Sequence, residues 1–337
     1  MWHVLEGSVE LVLANAMHIR NIPSRKSDVN DAPWIAERLA HGRIRGSFVP
    51  PAPIQELRDL SRTRKQLVRE IAQHTLRIQK TLETATLKLT GVLSDILGVS
   101  GRAILQALMA GETNSERLAE LARGRIKASR ADLVAGLHGR VTAHHRFLLQ
   151  LHLAQIEALE GAVREVEARL GDALAPFRAA VDRLITMPGV SESVARVLVA
   201  EIGFEMTRFP TAGHLISWAG RCPRLDESAG KRRSTRIRPS NPWLKTTLVQ
   251  GAWAAARKKD GSLRAQFLRL KSRRGPKKAI IAVAASMLTA AYDMLRDGVE
   301  YRDLGADHVE RRDKAKLAKR VLARLHALGF NVERRAA

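Results

Sequence analysis

Cysteine is almost absent: Cys222 is the only one in 337 residues, which excludes an internal disulfide framework and any zinc site built on paired cysteines. Long apolar runs are lacking too. The longest mainly apolar stretch, 279–292, falls short of the roughly 20 residues a bilayer-spanning helix needs, so it reads as a buried helix and no membrane partner is expected. Residues 1–7 contain Glu6 and lack the basic-then-apolar order of a secretory signal, so the expected location is the cytoplasm. Acid is scarce relative to base. Lys and Arg number 57 against 34 Asp and Glu, a formal charge of +23, and such an excess calls for a polyanionic partner, nucleic acid first among them. The histidines His138, His145 and His152 share a heptad spacing, but no carboxylate accompanies them at ligand spacing, so they read as a polar stripe.

The length allows about two or three domains. Residues 8–14 (SVELVLA) combine partial alternation with aliphatic and β-branched residues and predict a short strand. One strand cannot bury itself, so it reads as part of a larger α/β domain. A helix follows, with Ser27 as N-cap and Gly42 as its stop, and Asp28 and Asp31 on one face of the first turn. Two carboxylates so spaced can contribute to a magnesium site if more arrive from elsewhere in the fold; the plainer reading is that acids favour a helix N-terminus.

Residues 48–53 form a proline-stiffened connector. Beyond it Val68, Ile71, Thr75, Ile78, Leu82, Ala85 and Leu89 make an apolar seam, which resumes at Ile156, Leu159, Val163, Val166, Leu170, Ala173, Phe177, Ala180 and Leu184. Two coiled-coil arms are expected, paired within one chain or between copies in a homo-oligomer. Pro176 should kink or restart the second. The basic flank of the first arm, Arg58, Arg62, Arg64, Lys65 and Arg69, is either a solvated face or a nucleic-acid track. Glycines break 98–140 into shorter helices, capped among Thr113, Asn114 and Ser115.

Residues 184–203 have the shape of a helix-hairpin-helix, turning at Pro188-Gly189, with Gly189 and Ser191 able to meet a phosphate at the second helix's N-terminus; a plain helical hairpin is the alternative. Thr211 should cap the next short helix. Ser228 then opens a Ser-Ala-Gly turn into Lys231, Arg232, Arg233, Arg236 and Arg238, a hydroxyl beside cations that can hold a phosphodiester and balance the charge of its attack. The bland reading is a solvated basic loop. Ser234 ranks second as nucleophile, and Ser240 is read as structural, since it or Asn241 caps the helix that Pro242 begins. Arg273, Arg274, Lys277 and Lys278 gather at a helix start, where the dipole disfavours cations unless a phosphate binds. A charged helical tail closes the chain.

These blocks together, SDVNDAPWIAERLAHGRIRGSFVPP, MPGVSESVARVLVAEIG, SWAGRCPRLDESAGKRR and RRGPKKAIIAVA, resemble the transposases of the insertion sequence 110, 116 and 902 group, over nearly the whole chain. The resemblance implies a mainly α fold: a partial RNase H-like α/β domain over 1–50, a coiled-coil arm and connecting helices over 54–183, a helical C-terminal transposase domain with helix-hairpin-helix over 184–300, and a tail over 301–337. It implies a DNA transposase with Asp28 and Asp31 as the last two of four magnesium ligands and Ser228 as the residue that joins DNA through a phosphoserine link. Structured guide RNA is an implied partner beside DNA. The other two acidic ligands would lie upstream of Met1, so an N-terminally truncated chain is expected. From a different class comes the alternative of a non-catalytic nucleic-acid-binding remnant.

Overall fold

Leucines and isoleucines recurring every three or four residues along two distant segments need a surface to cover them. The computed structural model describes the chain apart from residues 1, 6, 15, 17, 18, 20–30, 45, 48, 125, 223–225, 229, 235, 236, 238, 239, 304, 307–317, 319–321, 327 and 329–337; at 2, 3, 226–228 and 232–234 it describes the backbone alone. The architecture is mainly helical, and residues 1–55 and 56–337 form two compact units.

In the first unit, helix α1 (Asp31–Ala40) ends where expected, with Gly42 in the left-handed region at φ 64° and its N–H donating to Leu39 O at 2.9 Å. The expected strand over 8–14 does not form among the described residues. Ala14 makes one isolated antiparallel bridge to Gly46, and Val9, Val12 and Leu13 are exposed. Among the described residues no ladder runs beside the alternating pattern. The Ser27 cap lies outside the described residues.

Helix α2 (Ala52–Thr84) starts at the proline connector, with Pro53 in its first turn. Across it runs α6 (Ala143–Leu174), capped by Thr142 in a reciprocal box with His145. Between them lie α3 (Val99–Ala110), α4 (Ser115–Glu120), capped by Asn114, and α5 (Arg130–Gly136), boxed by Ser129 and Asp132. Ile78 and Leu82 of α2, Ile104, Leu105 and Leu108 of α3, Leu118 of α4, Leu133 of α5, and Leu149, Leu153 and Ile156 of α6 form one buried cluster. The two seams thus meet inside a single chain. The first is shorter than the spacing suggests: Val68 is exposed, while Ala85 and Leu89 are buried beyond the end of α2.

Pro176 sits in a 3-10 turn, Ala175–Phe177, that restarts the chain as α7 (Arg178–Ile185). Then come α8 (Glu192–Ile202), α9 (Ala212–Trp218), a two-stranded antiparallel ribbon of β1 (Asp226–Ser228) and β2 (Lys231–Ser234), and α10 (Pro242–Ala255), α11 (Ser262–Arg274) and α12 (Pro276–Asp297). Helix α12 is the hub. At 22 residues it is longer than its apolar run and long enough by length and composition to cross a bilayer. Instead Ile280, Val283, Ala284, Met287, Leu288 and Ala291 are buried where it packs on α7, α9, α10 and α11, and the Tyr292 hydroxyl donates to Phe209 O at 2.8 Å. The expectation of a buried helix holds. Most of the expected tail lies outside the described residues.

Candidate active site

The segment read as a basic loop is a hairpin. Ser228 ends β1 opposite Lys231, which opens β2, and Gly230 at φ 73° turns the chain between them. The sequence signal was a glycine two residues past the serine, the position where a tight hairpin needs positive φ. Lys231 is exposed. The side chains of Ser228, Arg232, Arg233 and Ser234 lie outside the described residues, as do Arg236 and Arg238 altogether.

Arg221 and Ser240, on either side of the ribbon in the chain, are described. Arg221, only 3 % exposed, donates Nε–H to Ala219 O at 3.0 Å and Nη2–H to the Ser240 hydroxyl. Its Nη1 has no partner among the described residues, and burial holds the guanidinium below its ordinary pKa. Ser240 is therefore structural, although as the clasp of the ribbon's neck and not as a cap. The cap of α10 is Asn241, whose Oδ1 accepts from Trp243 N at 2.9 Å and Leu244 N at 3.3 Å. Asn241 Nδ2 in turn donates to Glu201, a carboxylate 1 % exposed in α8.

Glu201 is the anchor of a network that sequence reading missed. Arg62 of α2 forks onto it, Nε to Oε1 and Nη2 to Oε2, both at 2.9 Å. Arg58 donates to the carbonyls of Ala200 at 3.2 Å and Glu201 at 3.1 Å, and its own pKa is lowered chiefly by burial. Arg64 pairs with Glu167 of α6, and Lys65 donates to Trp243 O at 3.4 Å and to the Thr246 hydroxyl. Much of the basic flank is thus committed to holding α2 on α6, α8 and α10. Only a buried carboxylate far along the chain could have announced this.

The other predicted positions separate. Gly189, at φ 80°, packs so closely on α10 that a Cβ there would lie 2.2 Å from Gly251 O. Ser191 caps α8, accepting from Val194 N at 3.4 Å, and its hydroxyl lies 2.9 Å from that of Ser193. Arg273 and Arg274 fall in the last turn of α11, where the dipole favours them; Lys277 lies in the first turn of α12, where it does not. Half of the expected charge conflict at that helix start therefore disappears. Thr211 stands at the N-cap of α9 but makes no capping bond, its hydroxyl lying 2.9 Å from His214 Nδ1 instead.

Asp31 opens α1 in partial burial, and Asp28 lies outside the described residues. Among the described residues no three His, Cys, Asp or Glu side chains gather in a way that could hold a metal ion. Asp31 is the right kind of hard oxygen donor for magnesium, but alone it does not make a site.

Two family models match the chain. One, described as a transposase of the IS116/IS110/IS902 family, covers residues 181–268 and so contains the ribbon, its neck and Glu201. The other, described as a transposase and labelled DEDD and IS110, covers residues 2–86. A "putative transposase y4rJ" of Sinorhizobium fredii is 26% identical over 274 residues, 79% of this chain and 64% of that protein. An "insertion element IS110 uncharacterized 43.6 kDa protein" of Streptomyces coelicolor is 32% identical over 120 residues, 35% of this chain and 29% of that protein. The matched stretches span less than two thirds of either relative's length. With both family models and the Streptomyces element carrying the IS110 name, the chain belongs to the IS110/IS116/IS902 family of transposases.

Proposed function

We propose that the chain acts on DNA as a transposase, with Ser228 as the nucleophile that cuts and rejoins strands. The observation that carries this reading is the position of Ser228: it ends a strand directly across a glycine turn from the cation Lys231, on a ribbon clasped at Arg221 and Ser240. The hydroxyl of a serine at this position would attack a phosphorus atom, losing its proton as the phosphorus–oxygen bond to the leaving strand breaks and the leaving oxygen takes up a proton. The phosphoserine ester would be resolved when a hydroxyl of another strand attacks and Ser228 leaves. Lys231, Arg232 and Arg233, with Arg236 and Arg238 beyond, would balance the charge that builds on phosphorus. Gly189, Ser191, Arg273, Arg274 and Lys277 belong to the same reading as contacts to the nucleic-acid backbone.

Asp28 and Asp31 would hold magnesium together with further carboxylates, as the matched N-terminal family suggests. That ion would supply positive charge at the reacting phosphate. Guidance by a structured RNA, association of copies through the arms, a cytoplasmic setting, an RNase H-like fold over 1–50, a helix-hairpin-helix over 184–203 and domain boundaries near 50, 183 and 300 complete the reading. The +23 charge supports an RNA partner as well as DNA.

Trapping with a short DNA duplex tests it. The chain and its Ser234→Ala variant should give a covalent adduct on denaturing gels, while Ser228→Ala gives none and still binds DNA. An adduct that survives Ser228→Ala overturns the choice of nucleophile. Binding without an adduct from any version favours the non-catalytic remnant.

A further inference from the structure

Trp243, the second residue of α10, has three cations around one ring. Arg62 Cζ lies 5.9 Å from the centroid, Lys65 Nζ 5.5 Å and Arg69 Cζ 5.2 Å. One cation satisfies a cation–π contact; three crowd like charge into one place. The strain shows in Lys65, whose ammonium is held below its ordinary pKa by burial and then by Arg69, with Glu201 pulling the other way.

Glu201 offsets only one of the three, Arg62, which takes both of its oxygens, and Arg58 stands 3.6 Å from it, so Lys65 and Arg69 are left in excess. Arg69 is exposed and has no carboxylate partner among the described residues. Excess positive charge therefore faces solvent at the positive end of α10, one short segment beyond the ribbon in the chain.

We infer that the Arg62, Lys65 and Arg69 cluster around Trp243 is a binding site for a phosphodiester of the DNA backbone, outside the ribbon, with Arg69 supplying the two-pronged contact. An arginine fork fits two phosphate oxygens in a way that the compact Lys65 ammonium does not. Because the indole is already surrounded by cations, it serves to hold them in register and not to stack a base. The inference rests on the DNA-joining reading and adds to it a backbone contact on the arm helix α2, which would bring the arm and the ribbon onto one substrate.

The test measures non-covalent binding by the full chain carrying Ser228→Ala, so that joining chemistry plays no part. Fluorescence anisotropy with a short DNA duplex is followed from low to high salt. Adding Arg69→Gln should make the slope of log K against log salt shallower by about 0.9, the share of one phosphate contact, with the thermal midpoint unchanged. Arg77→Gln, exposed on the same helix outside the cluster, should leave the slope as it was. An unchanged slope with Arg69→Gln, or an equal loss with Arg77→Gln, overturns the site. A loss seen with structured RNA but not with duplex DNA overturns the choice of DNA. A parent chain that binds no DNA overturns the DNA reading itself.

Discussion

Arg221 and Ser240 stand 19 residues apart in sequence and are joined by a hydrogen bond from the buried guanidinium to the hydroxyl, closing the neck from which the ribbon of Ser228 projects. The bond is asymmetric in its consequences. Arg221 is 3 % exposed and already has one N–H without a partner among the described residues, whereas Ser240 is half-buried and can turn to water.

Ser240→Ala should therefore cost about 1–3 kcal/mol of stability, since it leaves a second buried N–H of Arg221 without an acceptor. Arg221→Leu should cost less, because it removes the buried charge and its unmet donors together. Urea denaturation of the two variants gives the order directly, and the reverse order would mean that the clasp is not what holds the neck.

Removing one partner of the buried ion pair should be severe. Glu201→Gln leaves Arg62 facing a neutral amide and takes from Arg58 the larger of its two counter-charges, for a loss of about 3–5 kcal/mol. It also weakens the hold on Asn241, so the α10 cap should loosen in hydrogen exchange. A double-mutant cycle of Arg62→Leu with Glu201→Leu that shows no coupling would contradict this account.

Gly189→Ala should destabilise by about 2–5 kcal/mol, because the new methyl would meet Gly251 O at 2.2 Å and Ala255 N at 2.5 Å on a backbone already at φ 80°. The comparison is Gly171→Ala in α6, where nothing lies within 4 Å of the added carbon and a gain of about 0.5–1 kcal/mol is expected. Similar thermal midpoints for the two variants would refute the close approach at Gly189.

The arm should lose stability in mild acid. His74 Nδ1 and His152 Nδ1 lie 3.3 Å apart, an arrangement that needs one nitrogen as acceptor and fails when both rings carry two N–H groups. The pKa of His152 is lowered, by burial first, then by His74 and Arg77. With the folded value below the unfolded one, the unfolded chain takes up the proton first. Stability is then full above about pH 6.5 and declines as the pH falls below it. His152→Asn should flatten that decline in thermal melts between pH 7.5 and 5.5; a decline that persists would place its origin elsewhere.

Residues with local jobs were legible in the sequence. Asn114 among its neighbours, Gly42 as a stop, Pro176 as a restart and the burial of 279–292 follow from rules of a few residues' range, and the structure agrees. The strand over 8–14 failed for the opposite reason. A period-two pattern states only that a strand is possible, and a ladder requires a second segment that no local pattern supplies.

By itself the sequence determined a basic, mainly helical chain with two apolar seams, a serine beside a glycine and a run of cations, because spacing and charge are written in consecutive residues. Tertiary structure alone decided that the seams meet within one chain, that Arg58, Arg62 and Lys65 bond to distant helices, and that the serine segment is a ribbon clasped at Arg221. Whether a given arginine is solvated, paired or left in excess depends on Glu201, Trp243 and Ser240. These lie up to 178 residues from the basic side chains they hold, and only folding brings them within hydrogen-bond reach.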